Sequence, residues 1–365
     1  MKTKRLAVLM FVLLLLALGA TLFSQTYDYN CYCKVTGSTP DNIVQLDNNE
    51  KLLQALARPQ TLAQLKEGGL AFNQSQIRLL VDWQLLEKKE GVYRTTFPIL
   101  DAQKTAALRQ SMRQLAAAAS GQLVDRIATL KGILAKQGRE KSAYTIFFSY
   151  VLDNLVWEQW KSEKIMKPRQ NTVEHPFWSG IFWANTPKRE FFCGTNSIAD
   201  KGYSLKINWA PPAIPLMKPF VTDWKNQMKM FDEFVSQGKV TDPSARAVFK
   251  PFRIFDAGGC PTVPVIIESP DDPLYKCCLE FAKIISVKVL EDIKTGNLKN
   301  LAGCEDEESA LVIAYHEWMW EFLDECEKKG LLEKPLAFAH PEKAVAADIG
   351  DLIFLVKNNP STPAD

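Results

Sequence analysis

The run from residue 142 to residue 163 constrains the fold most, because it has helical length and is apolar nearly all round. A helix with this pattern must be buried on several sides. A neighbouring helix covers one side, so the other sides must meet the C-terminal region or a second copy of the chain. The large apolar side chains of the run are Ile146, Phe147, Phe148, Tyr150, Val151, Leu152, Leu155, Val156, Trp157 and Trp160.

The segment before this run predicts a second helix that would pack against it. Asp101 can cap a helix whose apolar residues recur at steps of three or four until Gly138. We therefore interpret residues 101–167 as a helical hairpin. Two interpretations of its surplus apolar surface stay open, packing within the chain and an interface with a partner or in a homodimer. Large aromatic residues dominate interface energetics, so the predicted partner-binding residues are Tyr150, Trp157 and Trp160.

Residues 46–100 carry the clearest local plan in the chain. Three short helical patterns are separated by Arg58-Pro59 and by Gly68-Gly69, and a ribbon then folds about Glu90-Gly91. The order of three helices followed by a ribbon resembles the winged helix-turn-helix superfamily. The resemblance covers this stretch alone, and the rest of the chain is not recognised.

The resemblance implies a set of DNA contacts, because in DNA-binding members the third helix enters the major groove and the wing touches phosphates. The implied DNA-binding residues are Gln74, Gln76, Arg78, Lys88, Lys89 and Arg94. However, residues 46–100 contain seven basic and six acidic side chains, which is little net charge for a protein that reads DNA. We therefore expect a module for protein contact, and nucleic acid is not an expected partner.

Residues 1–24 form a basic head, an apolar run from Leu6 to Phe23, and a polar end. The run is slightly short for a bilayer core and longer than the usual hydrophobic part of a signal peptide. Its length favours a retained membrane anchor, while a cleaved signal peptide and a buried core helix stay open. The basic residues precede the apolar run, so the positive-inside rule places the body of the chain outside the cytoplasm.

The remaining ranges complete the predicted domain organisation. Residues 25–45 are rich in turn-forming residues and are expected to be a linker. Residues 168–357 are expected to form an α+β domain, and residues 358–365 a disordered tail. In the α+β domain, strands are expected at Glu190 to Cys193, Tyr203 to Trp209 and Val263 to Glu268, and a helix is expected to begin at its cap Asp272 and to end at Gly296. The prolines from Pro211 to Pro219 are expected to prevent regular structure there. The predicted fold class is α+β and mostly α.

The sequence His316-Glu317 is the most enzyme-like motif of the chain, yet it lacks a second ligand. A metal-binding helix places its ligands three or four residues apart, and position 320 is Trp. We therefore expect no metal here, and we interpret the nearby carboxylates as a stripe in contact with solvent. These carboxylates are Glu317, Glu321, Asp324 and Glu325.

Cys260 is the other candidate for catalysis, because Gly258-Gly259 before it allows a tight, exposed turn. No base is identifiable beside it, and no glycine-rich phosphate loop occurs, so no cofactor is expected. Cys277 and Cys278 are expected to be buried, while Cys31 and Cys33 are too close in an extended chain to favour each other. The candidates for disulfides are Cys193, Cys260, Cys304 and Cys326.

These observations predict an exported or membrane-anchored protein of binding or structural type, with the helical module and the hairpin in contact with a protein partner. Two alternatives remain, an extracytoplasmic hydrolase acting through the C-terminal domain and a membrane-associated DNA-binding regulator. Whether the chain is an enzyme is left open, with the balance against it.

Overall fold

The computed structural model describes residues 26–35, 37–294 and 298–358. The predicted anchor or signal segment lies outside these residues, as do Gly296, where a helix is expected to end, and all of the predicted tail after Asn358. The fold class is α+β and mostly α. In the part of the chain that the structure describes, no helix is both long enough and apolar enough to cross a membrane.

The regular elements are numbered here in chain order. The α-helices are α1 Pro40–Val44, α2 Asn49–Ala55, α3 Leu62–Glu67, α4 Gln74–Asp82, α5 Ala102–Gln122, α6 Val124–Lys136, α7 Ala143–Ile146, α8 Val156–Ser162, α9 Ile214–Thr222, α10 Trp224–Gln237, α11 Pro243–Phe249, α12 Pro273–Lys294, α13 Leu298–Ala302, α14 Glu307–Lys328 and α15 Leu336–Ala339. The strands are β1 Asp28–Val35, β2 Gln60–Thr61, β3 Leu86–Lys89, β4 Val92–Thr95, β5 Ile99–Leu100, β6 Trp178–Asn185, β7 Gly194–Asp200, β8 Tyr203–Trp209, β9 Val265–Ile267 and β10 Ile353–Lys357.

The chain forms two compact units, each built from three separate segments. Of the described residues, unit 1 contains those up to Leu108 together with Arg169–Arg189 and Lys299–Ile313. Unit 2 contains the described residues of Arg109–Pro168 and Glu190–Leu298 and those from Ala314 onward. The domain ranges proposed from the sequence are continuous, whereas each structural unit gathers segments that are distant in sequence.

In unit 1, α2, α3 and α4 pack on a small sheet with strand order β2-β4-β3. Thr61 and Asn73 begin α3 and α4 with capping boxes, in which a Gln three residues later bonds back to the cap backbone. The β3–β4 hairpin turns at Glu90 and Gly91, both with positive φ, as a two-residue hairpin loop requires. Three helices and a hairpin therefore lie where the sequence predicts them. The side chains of their core are Leu52, Leu53, Leu56, Leu65, Ile77, Leu80, Leu85 and Leu86.

Residues 25–45 differ from the expected linker, since they contain β1 and α1. Strand β1 pairs antiparallel with β6 over its whole length, from Asp28 opposite Asn185 to Val35 opposite Trp178. Strand β5 pairs parallel with the other edge of β6. The pairing partner lies about 150 residues away, and a local pattern of turn residues does not reveal so distant a strand.

Unit 2 contains a four-stranded sheet with order β7-β8-β10-β9. The strands β8 and β9 lie within the predicted runs, but the strand expected at Glu190–Cys193 is displaced to β7. The displacement follows from the two-residue turn Lys201-Gly202, where both residues have positive φ, because this turn sets the register of β7 against β8.

Both helices of the predicted hairpin are interrupted, whereas the periodicity of their apolar residues predicts two continuous helices. The first helix is interrupted at Leu123, which separates α5 from α6. The second is helical from Glu140 to Ser162, but its centre, Phe147–Leu155, is a π-helix between α7 and α8. In this segment Val156 N–H donates to Val151 O, five residues back. The widened turn is an internal distortion of the kind often found near functional residues.

The proline-rich segment after β8 is helical, which corrects the expectation that it lacks regular structure. Pro215 lies in the first turn of α9, where no backbone N–H is needed. Pro219 lies inside α9 and removes one hydrogen bond. Met217 and Phe220 of α9 are buried, and their burial in unit 2 offsets this loss.

Candidate functional site

An exposed apolar surface lies on α9 and the start of α10 in unit 2. Ile214 and Val221 lie seven residues apart in α9 and therefore share one helix face. Trp224 follows three residues later with 57% of its surface exposed, and Ile214 is 48% exposed. We call Ile214, Pro215, Pro219, Val221 and Trp224 the Trp224 patch; all five side chains are exposed. Clustered exposure of this kind marks an interaction surface in soluble proteins.

A groove of about 360 Å³ adjoins the patch along α9. Its lining is entirely apolar and consists of Pro215, Leu216, Pro219, Val248, Pro251, Phe252 and Ala346. Proline fixes its own backbone angle and stiffens its neighbours, so the groove walls lose little conformational freedom when a partner binds. The patch and the groove together form a rigid apolar surface.

Two exposed lysines lie in the same stretch of sequence as the patch and add positive charge beside it. Lys218 and Lys225 are exposed and lie on either side of Val221 in sequence. The nearest acidic residue, Asp223, caps α10 by accepting from Asn226 N–H at 3.3 Å and from the Asn226 side chain at 3.0 Å. The carboxylate is thus engaged by the helix start, and the rim suits an acidic neighbour.

The residues implied to read DNA are only partly on the surface of the module. Gln74 and Arg78 are exposed on α4, and Arg78 pairs with Asp82 of the same helix at 3.6 Å. Gln76 is buried, which corrects its implied role. It caps α4 through Asn73, and its amide donates to Asn48 Oδ1 at 2.7 Å.

The basic residues of the wing are also partly neutralised. Arg94 donates to Glu87 at 2.6 Å and to Glu305 at 3.3 Å, both carboxylates of unit 1. Lys88 lies over the Tyr93 ring, and Lys89 is exposed. The surface therefore offers phosphates less free positive charge than the sequence count implies.

The carboxylates of α14 depart from the expected solvated stripe. Glu317, Glu321 and Glu325 are buried, and only Asp324 of the predicted set is exposed. Two of them meet arginines of α5 that have the same four-residue spacing. Arg109 Nε lies 3.0 Å from Glu317 Oε2, and Arg113 Nε lies 2.7 Å from Glu321 Oε2. Glu317 and Glu321 therefore form structural ion pairs within unit 2, because the matched spacing on α5 and α14 places one arginine beside each carboxylate.

His316 stays a weak candidate for catalysis in this setting. Its ring lies 5.3 Å from that of Trp157, and Trp320 stacks on Phe148 instead of supplying a ligand. Within the described ranges, no three His, Cys, Asp or Glu side chains are arranged to hold one metal ion.

Cys260 lies in an exposed turn, as the two glycines before it predict. Asp256 Oδ1 accepts from Gly258 N–H at 2.8 Å and from Cys260 N–H at 2.9 Å, and this closes the turn. A Cβ on Gly259 would clash with the Val240 backbone, so the turn requires glycine there. In the described chain no hydrogen bond involves the Cys260 thiol, and the turn supplies no base for a nucleophile. All eight cysteines are free, so none of the four candidates for disulfides is paired, and Cys277 and Cys278 are buried as expected.

The three predicted partner-binding aromatics are buried within unit 2. Tyr150 donates to Glu268 Oε1 at 2.9 Å, Trp160 Nε1 donates to Ser286 O at 3.3 Å, and Trp157 packs edge-on against Tyr315 at 4.7 Å. Each is at most 3% exposed. Intrachain packing therefore covers the surface that the sequence leaves open, and these side chains are not available to a partner.

A group of ionisable side chains around the π-helix escaped the sequence analysis. Desolvation raises the pKa of Asp153 to about 7, against the effects of the Trp157 indole and the Lys206 ammonium. Desolvation also lowers the pKa of Lys206, against the attraction of Asp153 and Glu268. Asp153 is the one charged residue between Ile146 and Trp157, and this was the available signal. A carboxyl with this pKa changes its protonation near neutral pH.

Comparison with protein-family models, with curated proteins and with solved structures gave no match to the chain.

Proposed function

We propose that the chain is a binding protein and that the Trp224 patch is its contact for a protein partner. The observation that carries the proposal is the exposure of Trp224, Ile214 and Val221 beside a rigid apolar groove. Tryptophan is strongly enriched among residues that dominate binding energy, and such residues lie in the centre of an interface. An apolar partner side chain placed in the groove would remove both surfaces from water.

The charges at the rim define the partner more closely. Lys218 and Lys225 favour acidic residues on either side of the inserted apolar group, because complementary charge at a rim speeds association and selects partners. The proposed partner is therefore a protein segment with an apolar side chain between acidic residues.

We also propose that residues 46–100 form a winged-helix-like module that contacts protein or has a structural role. The element order and the sheet order β2-β4-β3 support the resemblance. The burial of Gln76 and the pairing of Arg94 with Glu87 and Glu305 support a role other than groove recognition.

The location outside the cytoplasm is likewise proposed from the sequence. Its support is the basic head before the apolar run Leu6 to Phe23. The hydrolase alternative has weaker support, because Cys260 and His316 are not brought together with the partners that a nucleophile or a metal requires.

Surface substitutions of matched exposure test the proposal. In an extract of the native source, the parent chain should migrate in a complex larger than the purified chain, and Trp224→Ser or Ile214→Ser should release it. Val287, on α12, is 50% exposed, so Val287→Ser is the matched control and should leave the complex intact. A complex that survives both patch variants would contradict the proposal, as would a parent that migrates alone.

A further inference from the structure

A cavity of about 600 Å³ lies beside α11 and the residues that follow it in unit 2. This volume is in the range of sites that hold small molecules. We call it the basic cavity, because its charged lining residues are Arg246, Lys250, Arg253 and Asp256. It shares no lining residue with the apolar groove beside the Trp224 patch.

The basic cavity has an excess of positive charge. Three of its charged lining residues are positive and one is negative, so their formal charge is +2. The one carboxylate, Asp256, accepts from Gly258 N–H at 2.8 Å and from Cys260 N–H at 2.9 Å, and it therefore stabilises its own turn. In the part of the chain that the structure describes, neither Lys250 nor Arg253 forms an ion pair. Their positive charges are available to a ligand.

Arg246 and Lys250 lie on one side of the same segment. They are four residues apart, which is the spacing of neighbours on a helix surface. Helix α11 ends at Phe249, and a 3-10 helix, Lys250–Phe252, follows it directly. The half-buried Arg246 guanidinium donates one hydrogen bond to Ala257 O, which also lines the cavity. A guanidinium has five N–H donors, so this bond positions the side chain and leaves donors for a ligand.

Arg253 has an unusual backbone conformation at the end of this segment. Its φ is +48°, in the left-handed region that glycine adopts most readily. Its N–H donates to Lys250 O at 3.2 Å, and its carbonyl accepts from the Thr262 hydroxyl at 2.6 Å. These bonds hold the backbone in place below an exposed arginine side chain. Residues with such backbone angles cluster at ligand-binding sites.

The charge and the walls of the basic cavity together define its ligand. A phosphate monoester carries a charge of about −1.5 to −2 at neutral pH, which balances the formal charge of the cavity, whereas a carboxylate carries a single negative charge. Arginine binds phosphate oxygens through two parallel N–H donors. Apolar lining residues of the cavity include Ala247, Phe249 and Phe255. This apolar wall suits the organic part of an ester.

We propose that the basic cavity binds the phosphate monoester of a small organic molecule. Arg246, Lys250 and Arg253 bind the phosphate oxygens, and the apolar wall covers the organic group. The lining residues differ from those of the Trp224 patch and its groove, so this proposal goes beyond the proposed function and does not depend on it.

Isothermal titration calorimetry of the full-length chain with three probes tests the proposal, at pH 7 in a buffer without phosphate. The probes are phenyl phosphate, inorganic phosphate and benzoate. Phenyl phosphate should bind about tenfold more tightly than inorganic phosphate, because its ring leaves water for the apolar wall. It should also bind more tightly than benzoate, which has the same ring but one negative charge. No binding of phenyl phosphate, or equal affinity for phenyl phosphate and either of the other probes, would overturn the proposal.

Substitutions in the cavity locate the binding site. Lys250→Gln and Arg253→Gln should each weaken the binding of phenyl phosphate about tenfold, because each removes a charge-assisted hydrogen bond. Lys276→Gln on α12 and Arg126→Gln on α6 are matched controls at exposed positions, and they should bind as the parent does. An equal loss in the cavity variants and in the controls would mean general attraction to a positive surface and would contradict the assigned site.

Trp224→Ser separates this proposal from the proposed function, since it should bind phenyl phosphate with the affinity of the parent. Lys250 and Arg253 have exposed side chains, so the cavity variants should also unfold at the temperature of the parent. The comparison of the three probes on the parent needs no variant, and it decides the proposal even if a variant fails to fold.

Discussion

At the scale of single residues, Asp153 makes unit 2 sensitive to pH. Its pKa is about 7 in the folded chain against an ordinary value of 3.8. Between these values the folded chain binds more protons than the unfolded chain, so the free energy of unfolding falls as pH rises. The steepest possible fall from one group is about 1.4 kcal/mol per pH unit.

The variant Asp153→Asn should remove this dependence. From pH 5 to pH 8 the parent should lose about 1 to 3 kcal/mol that the variant retains, as measured by urea denaturation at both values. Asp82→Asn replaces an exposed carboxyl and should show the same pH dependence as the parent. If the free energy of unfolding changes equally with pH in the parent and in Asp153→Asn, the role assigned to this carboxyl is wrong.

Residues whose partners are local were predictable from the sequence, and residues whose partners are distant were not. Asp101 and Asp272 cap helices through backbone N–H groups three residues later, at 2.9 Å and 2.7 Å. The spacing of polar and apolar residues signals such caps. Glu317 instead pairs with Arg109, which lies 208 positions earlier in the chain. Nothing near Glu317 in sequence distinguishes it from a solvated glutamate.

At the scale of elements, the start of α4 depends on the Asn73 capping box. Asn73 Oδ1 accepts from Gln76 N–H at 2.9 Å. Asn73→Ala should cost about 1 kcal/mol of stability, measured by denaturation of the full chain. The neighbouring exposed Gln74→Ala should stay within about 0.5 kcal/mol of the parent. Equal effects of the two substitutions would show that the cap does not stabilise the helix start.

The pairing of α5 with α14 in unit 2 can be measured at Arg109 and Glu317, whose side chains are 13% and 7% exposed. Arg109→Ala leaves a buried carboxylate without its arginine and should cost about 3 kcal/mol. The double variant Arg109→Met with Glu317→Met should recover most of this loss.

The exposed pair Arg78 and Asp82 provides the control for this experiment, with side chains 84% and 54% exposed. Arg78→Ala should change stability by less than about 1 kcal/mol, as exposed pairs do. A comparable loss at Arg78 and at Arg109 would refute the distinction between a buried and a solvated ion pair.

Elements with strong local signals were predicted and those decided by pairing were not. Helices α2 to α4 and strand β8 have periodicity and turn residues that fix them locally. Among the described residues, strand β1 pairs only with β6, and β6 pairs with β1 and β5, so both strands depend on partners far away in the sequence. Helix α9 was missed because its prolines outweighed the seven-residue spacing of Ile214 and Val221, which was the one signal of the Trp224 patch.

At the scale of the whole molecule, each of the two units is built from segments that are far apart in sequence. The local pattern of polar and apolar residues does not show which segments come together. The fold class was predictable because it depends on the number and type of elements. The location of the candidate site was not, because exposure of Trp224 depends on which faces of α9 and α10 the rest of unit 2 covers.

The charge of the whole chain predicts its behaviour with nucleic acid. The formal net charge is +2 over 365 residues, and the basic side chains at the wing are partly paired. The full chain should bind mixed duplex DNA weakly, and this association should vanish at physiological salt. Nanomolar affinity for one sequence, measured by fluorescence anisotropy, would restore the regulator alternative.

Photocrosslinking in the native source tests the proposed function most directly. A photoreactive phenylalanine analogue replaces Trp224 in one chain and Val287 in another, two positions of similar exposure. Position 224 should yield one discrete crosslinked protein, and mapping the bond should locate an apolar residue flanked by acidic residues. Position 287 should yield none. An identical set of crosslinks from both positions, or none from position 224, would contradict the assignment of the Trp224 patch as a partner-binding surface.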